Sequence, residues 1–100
     1  MNRPVPRRYR ITVPPGFERD VRRLRKRFPR VHASYEEALE ILETDPLNRE
    51  KRADITKLVD VRAGDGQFRL RLGDWRLRYD VFGAEVVLHS MRPRSESYRP

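Results

Sequence analysis

The sequence predicts an α+β fold: an N-terminal strand, a two-helix hairpin, then an antiparallel β-meander packed on the helices. Three observations carry this reading. Tyr9, Ile11 and Val13 alternate with Arg10 and Thr12, the period of a strand. The two segments that follow repeat apolar residues at helical spacing. Beyond residue 66 the alternation returns to period two around two turn signals.

Pro14-Pro15-Gly16 ends the first strand. Phe17, Val21, Leu24 and Phe28 then form the apolar stripe of a first helix, with Arg22, Arg23, Arg25, Lys26 and Arg27 on the remaining arc and Pro29 as its stop. Ser34 and Glu37 have capping-box spacing, so a second helix is expected to begin at Ser34. Its stripe is Tyr35, Ala38, Leu39 and Leu42, and Asp45-Pro46 closes it. Asn48 to Thr56 reads as a polar connector, either irregular or a broken helical turn. Leu58, Val59 and Val61 form a short apolar segment before the turn-rich Ala63-Gly64-Asp65-Gly66, and after Phe82-Gly83-Ala84 the run Glu85 to Met91 is the last strand.

The stretch Phe68-Arg69-Leu70-Arg71-Leu72-Gly73-Asp74-Trp75-Arg76-Leu77-Arg78-Tyr79 carries the most chemistry. With Gly73 and Asp74 as a two-residue turn, Leu72 faces Trp75, Leu70 faces Leu77 and Phe68 faces Tyr79, all on one face. The other face pairs Arg71 with Arg76 and Arg69 with Arg78. Like charges directly opposite on neighbouring strands cost a few tenths of a kcal/mol per pair, so stability alone does not account for four clustered arginines. A polyanion held against them would remove the repulsion. A sheet with one face under helices leaves that arginine face to solvent, and His89 reaches it in one of two registers.

Composition agrees with a basic, soluble protein. Of 100 residues 37% are hydrophobic and 38% charged, with a net charge of +8. The charge is uneven: residues 1–34 carry +9, residues 35–65 carry −4 and residues 66–100 carry +3. Twenty of the 23 basic residues are arginine, whose planar fork matches phosphate oxygens. A high-GC genome also enriches arginine, but it does not cluster it on one strand face. No apolar run spans a bilayer, no signal-peptide segment opens the chain, and the lack of cysteine points to the cytoplasm. No His, Asp and Glu cluster has metal-ligand spacing and no glycine-rich phosphate loop is present, so neither a metal nor a cofactor is expected.

The hairpin, the strand Val86 to His89 and the tail Arg92-Pro93-Arg94-Ser95-Glu96-Ser97-Tyr98 resemble the toxin side of the RelE/ParE toxin–antitoxin superfamily. Phe17 to Val21 opening a helix and Ala38 to Pro46 closing one resemble family patterns too. The resemblance covers nearly the whole chain and implies one RelE-like toxin domain over residues 1–100. RelE-like members are mRNA interferases that usually cut in the ribosomal A site, whereas the ParE branch inhibits DNA gyrase without cutting RNA. The implied partners are a cognate antitoxin, often acidic and partly disordered, together with mRNA and ribosomal RNA.

RelE-like enzymes place two basic residues before the turn, where Arg69 and Arg71 stand, and an arginine after it, where Arg76 stands. They also place an arginine after the last strand and a tyrosine six residues later, matched by Arg92 and Tyr98. These matches favour the cutting branch; the alternative is a non-catalytic gyrase inhibitor or nucleic-acid-binding module. Lysine is common at the first two positions in the family, and arginine, effectively never deprotonated, cannot be a general base. The chemistry implied is attack of an RNA 2′-hydroxyl on its adjacent phosphate. On this chemistry Arg76 is expected to meet the charge developing on the phosphate, Arg92 to stand near the leaving group, and Arg69 and Arg71 to bind flanking phosphates, with Arg78 and Arg94 as further RNA-binding residues. Tyr98 is one candidate base, provided neighbouring cations help its phenol; His89 competes, because imidazole transfers protons both ways near neutrality. Trp75, Tyr79, His32 and Tyr35 read as structural, and Glu96 as a local charge partner.

Overall fold

The computed structural model describes residues 8–94. In chain order the elements are β1 (Arg10–Thr12), α1 (Pro15–Arg27), α2 (Val31–Thr44), β2 (Asp54–Lys57), β3 (Phe68–Leu72), β4 (Trp75–Phe82) and β5 (Glu85–Pro93). The five strands form one sheet in the order β1-β5-β4-β3-β2. The pairs β2–β3, β3–β4 and β4–β5 are antiparallel, and β1 lies parallel to β5, pairing Arg10 with Glu85 and Thr12 with Val87. This is the expected strand, helix pair and meander.

Both helices cover one face of the sheet: α1 lies on β5, and α2 reaches β1 and β3. Phe17 and Val21 from α1, Val31, Ala38 and Leu42 from α2, and Leu70, Leu77, Tyr79, Val86, Leu88 and Met91 from the sheet make the core. Aromatic contacts tie the layers together. Phe17 meets Tyr35 at 5.9 Å between ring centroids, and Phe28 meets Trp75 edge-on at 5.4 Å.

Three boundaries differ from the sequence expectation. Pro15 does not stop β1 from outside the helix but occupies the first turn of α1, where the missing N–H costs nothing. Helix α2 begins at Val31, not Ser34. Val31 is completely buried, and its N–H donates to the Phe28 carbonyl at 2.9 Å, so the chain re-enters a helix directly after the Pro29-Arg30 turn. Ser34 and Glu37 therefore stand inside the helix, with no capping box. The polar connector also holds a strand: Asp54 to Lys57 pairs antiparallel with Phe68 to Arg71. Only Ile55 of that edge strand packs against the core, which hides it from a search for alternation. The apolar Leu58, Val59 and Val61 lie in the following loop, and Val59 is 83% exposed.

The β3–β4 hairpin has the expected register at all five pairs, from Phe68–Tyr79 to Leu72–Trp75. Gly73 takes φ 56° at the first loop position, a conformation that glycine adopts without strain.

Candidate functional site

The face opposite the helices carries the arginines in two rows across the strands. In one row Asp54 of β2, Arg71 of β3, Arg76 of β4 and Arg92 of β5 are successive register partners. In the next, Thr56, Arg69, Arg78 and Ser90 follow in the same order. Alternation sets every one of these side chains away from Leu70, Leu77, Tyr79 and Met91, which face the core.

The guanidinium groups differ in their surroundings. Arg76 is 4% exposed, and its Nη1 donates to the carbonyls of Gly73 and Trp75, both at 3.2 Å. Arg92 donates from Nη1 to the Met91 carbonyl at 2.9 Å and lies 3.6 Å from the Asp20 carboxylate of α1. Arg71 is exposed and 3.8 Å from Asp54. The three-arginine row is thus flanked by a carboxylate at each end, Asp54 from the edge strand and Asp20 from the helix. Asp20 also sits 3.7 Å from Arg23.

Arg78 faces a different task. Its Nε donates to Gly66 at 3.0 Å and its Nη2 to Asp65 at 2.8 Å, so the β2–β3 loop holds it against the sheet. The register pairs Arg78 with Ser90 but Tyr79 with Leu88, which leaves His89 as the extra residue of a β-bulge. Bulges re-aim side chains beside functional sites. His89 is exposed on the rim of a cleft of about 450 Å³ whose other walls include Arg19, Asp20 and Arg23 of α1. Arg94 is exposed beside the hairpin turn, with its backbone N–H donating to Asp74 at 2.7 Å. Tyr98 lies outside the described residues.

The structure therefore gathers Arg69, Arg71, Arg76, Arg78, Arg92 and His89 on one face, with Arg94 at its end. Sequence reasoning missed three carboxylates there: Asp20, Asp54 and Asp80. Asp54 was legible in principle once β2 was paired with the hairpin, whereas Asp20 and Asp80 act through contacts distant in the chain.

No family model and no curated protein matches the chain. Among solved structures, a chain of the archaeal RelE–RelB complex from Pyrococcus horikoshii OT3 is 30% identical, superposes with a TM-score of 0.62, and matches over 86% of this chain and 94% of its own. The chain belongs to this RelE–RelB toxin–antitoxin family. A chain of the RelB–RelE antitoxin–toxin complex from Methanococcus jannaschii shares the fold at 19% identity, with a TM-score of 0.51 over 86% of this chain and 93% of its own. Among the described residues no helix is long and apolar enough to cross a membrane.

Proposed function

We propose that residues 1–100 form a single toxin domain of a type II toxin–antitoxin system and that it is a ribosome-dependent endoribonuclease acting on mRNA. The observation that carries this reading is the row Arg71–Arg76–Arg92 on the sheet face that points away from the core. A folded sheet with its own core and a net charge of +8 fits the basic toxin partner better than an acidic, partly disordered antitoxin. The antitoxin is then the protein partner, and mRNA with ribosomal RNA the nucleic-acid partners.

In this reading the RNA 2′-oxygen forms a bond to phosphorus as the bond to the 5′-oxygen breaks, giving a 2′,3′-cyclic phosphate and a 5′-hydroxyl. Negative charge grows on the phosphate oxygens, and a guanidinium already held in place stabilises it without reorganising solvent. Arg76, fixed by its two carbonyl contacts, takes that role. Arg92 stabilises the charge on the leaving 5′-oxygen, which takes its proton from solvent water, while Arg69 and Arg71 bind flanking phosphates. His89 or Tyr98 removes the 2′-proton, and replacing both is expected to abolish cutting.

A second reading has one observation in its favour: guanidinium hydrogens of Arg76 and Arg78 already go to carbonyls of the protein. A non-catalytic binder of gyrase or nucleic acid needs no such groups to turn toward a phosphate. The test is to add the purified protein to a reconstituted translation reaction and map new 5′ ends on the mRNA, with and without ribosomes. Cuts at A-site spacing only with ribosomes support the proposal. Cuts without ribosomes make it a ribosome-independent ribonuclease, and no cuts in either reaction favour the binder.

A further inference from the structure

We infer that Asp80 is a positioning residue for the Arg78–His89 corner of the basic face, acting through the β2–β3 loop. The inference rests on the RNA-cleavage reading above. Asp80 follows Arg76 and Arg78 at the next outward position of β4, yet it is 2% exposed. Its Oδ1 accepts the N–H groups of Gly64 and Gln67, each at 3.0 Å, and its Oδ2 accepts that of Gly66 at 2.9 Å. Three charge-assisted bonds from main-chain donors within four residues are a strong clamp on so short a loop.

The clamp extends to the candidate site. Arg78, two residues earlier on the same face, takes the loop's carbonyls at Gly66 and Asp65 while Asp80 takes its N–H groups. Gly66 sits at φ +79°, and a Cβ built on it would lie 3.1 Å from Cβ of Arg78 and 3.1 Å from Cγ of His89. The loop backbone is therefore pressed against the bulge residue with no space for a side chain. Asp80 thus fixes the wall on which the imidazole of His89 rests and keeps Arg78 out of the phosphate path. The RNA backbone is left to Arg69 and to the row from Arg71 to Arg92.

The experiment compares wild type, Asp80→Asn, His89→Ala and the double variant in single-turnover cleavage of RNA under the conditions in which wild type cuts, with amide hydrogen exchange at Gly64, Gly66 and Gln67. Asp80→Asn is expected to lose protection at the three amides and to slow cleavage at least about tenfold, with apparent KM changed less than about twofold, because misplacing a reacting group costs rate more than binding. The double variant is expected to be no slower than His89→Ala alone, as two residues acting through one group require. A full cleavage rate after the three amides lose protection would overturn the inference, as would losses that multiply in the double variant. If Asp80→Asn does not fold, Gly66→Ala displaces the same loop from the other side, and a wild-type rate there overturns the inference equally. A wild-type protein that cuts no RNA overturns the functional reading and the positioning role with it; a cutting wild type with an unimpaired Asp80→Asn overturns the positioning role alone.

Discussion

The hydroxyl of Tyr79 on β4 donates to the carbonyl of Pro46, 2.7 Å away, and so joins the centre of the sheet to the second residue beyond the end of α2. Both groups are buried. Tyr79→Phe leaves the carbonyl without this donor, while its ring keeps its stack on Phe68 at 5.5 Å. A loss of about 1–2 kcal/mol is expected in urea unfolding, with an unchanged slope, and the basic face is unaffected.

The same phenol gives the molecule an alkaline limit. Burial, with the Asp45 carboxylate adding to it, pushes Tyr79 well above its ordinary value of 10.0. The native state therefore favours the protonated phenol. Its contribution is complete below about pH 10, where the phenol of the unfolded chain is still neutral, and is lost as pH rises further. Stability is expected to fall above pH 10 and to fall less steeply in Tyr79→Phe. Tyr35, raised mainly by burial, adds to the loss in the same direction.

Asn48 takes the place of a neighbouring strand. Its side-chain amide donates to the Ala53 carbonyl at 2.9 Å and accepts the Ala53 N–H at 3.2 Å, just before β2, while its own backbone sits at φ 56°. Asn48→Ala loses both bonds and strains the backbone, an expected cost of about 2 kcal/mol; Asn48→Gly loses the same bonds without the strain and is expected to cost about 1 kcal/mol. Denaturation midpoints of the two variants separate the contributions.

Arg76 and Arg92 are expected to part company in stability but not in activity. Arg76→Ala removes a buried guanidinium and the two carbonyl contacts at the turn, so a loss of about 1–3 kcal/mol accompanies the loss of cutting. The Arg92–Asp20 pair is largely exposed, and Arg92→Ala is expected to change stability by less than about 1 kcal/mol while still slowing cleavage about a hundredfold. Thermal unfolding beside single-turnover rates distinguishes the two.

Binding to single-stranded RNA is expected to weaken with salt. Arg69→Ser and Arg71→Ser should each reduce the slope of log K against log salt by about 0.7, the value for one phosphate contact on a single strand. Arg78→Ser should leave the slope nearly unchanged, because the loop already holds that guanidinium. Affinity titrations at several ionic strengths read this directly.

The hairpin was fully legible because its information is local: strict alternation and a glycine at the one position needing positive φ set five register pairs. The helices were legible from their stripes, but the start of α2 was not. A Ser34–Glu37 pattern is available to any helix interior, and the burial of Val31 depends on the sheet. Strand β2 escaped because an edge strand with only Ile55 packed against the core lacks an apolar alternation. The arginine face followed from the hairpin, yet the capture of Arg78 and the clamp at Asp80 arise from a loop folding back across 12 to 16 residues. Nothing in their local sequence marks them.

Strand β5 lies between β1 and β4, although it is the last strand in the chain. During synthesis, β1 and the β2–β3–β4 segment therefore wait without a common neighbour until residues 85–93 leave the ribosomal tunnel. Until then Arg76 stands beside Arg71 only, and Asp20 has no arginine on the sheet to meet. The parallel pairing of β1 with β5 is long-range and slow to form, whereas β5 joins β4 locally through the turn at Gly83-Ala84. The arginine row is therefore complete only once β5, the last of the described strands to be made, has emerged and paired with β4.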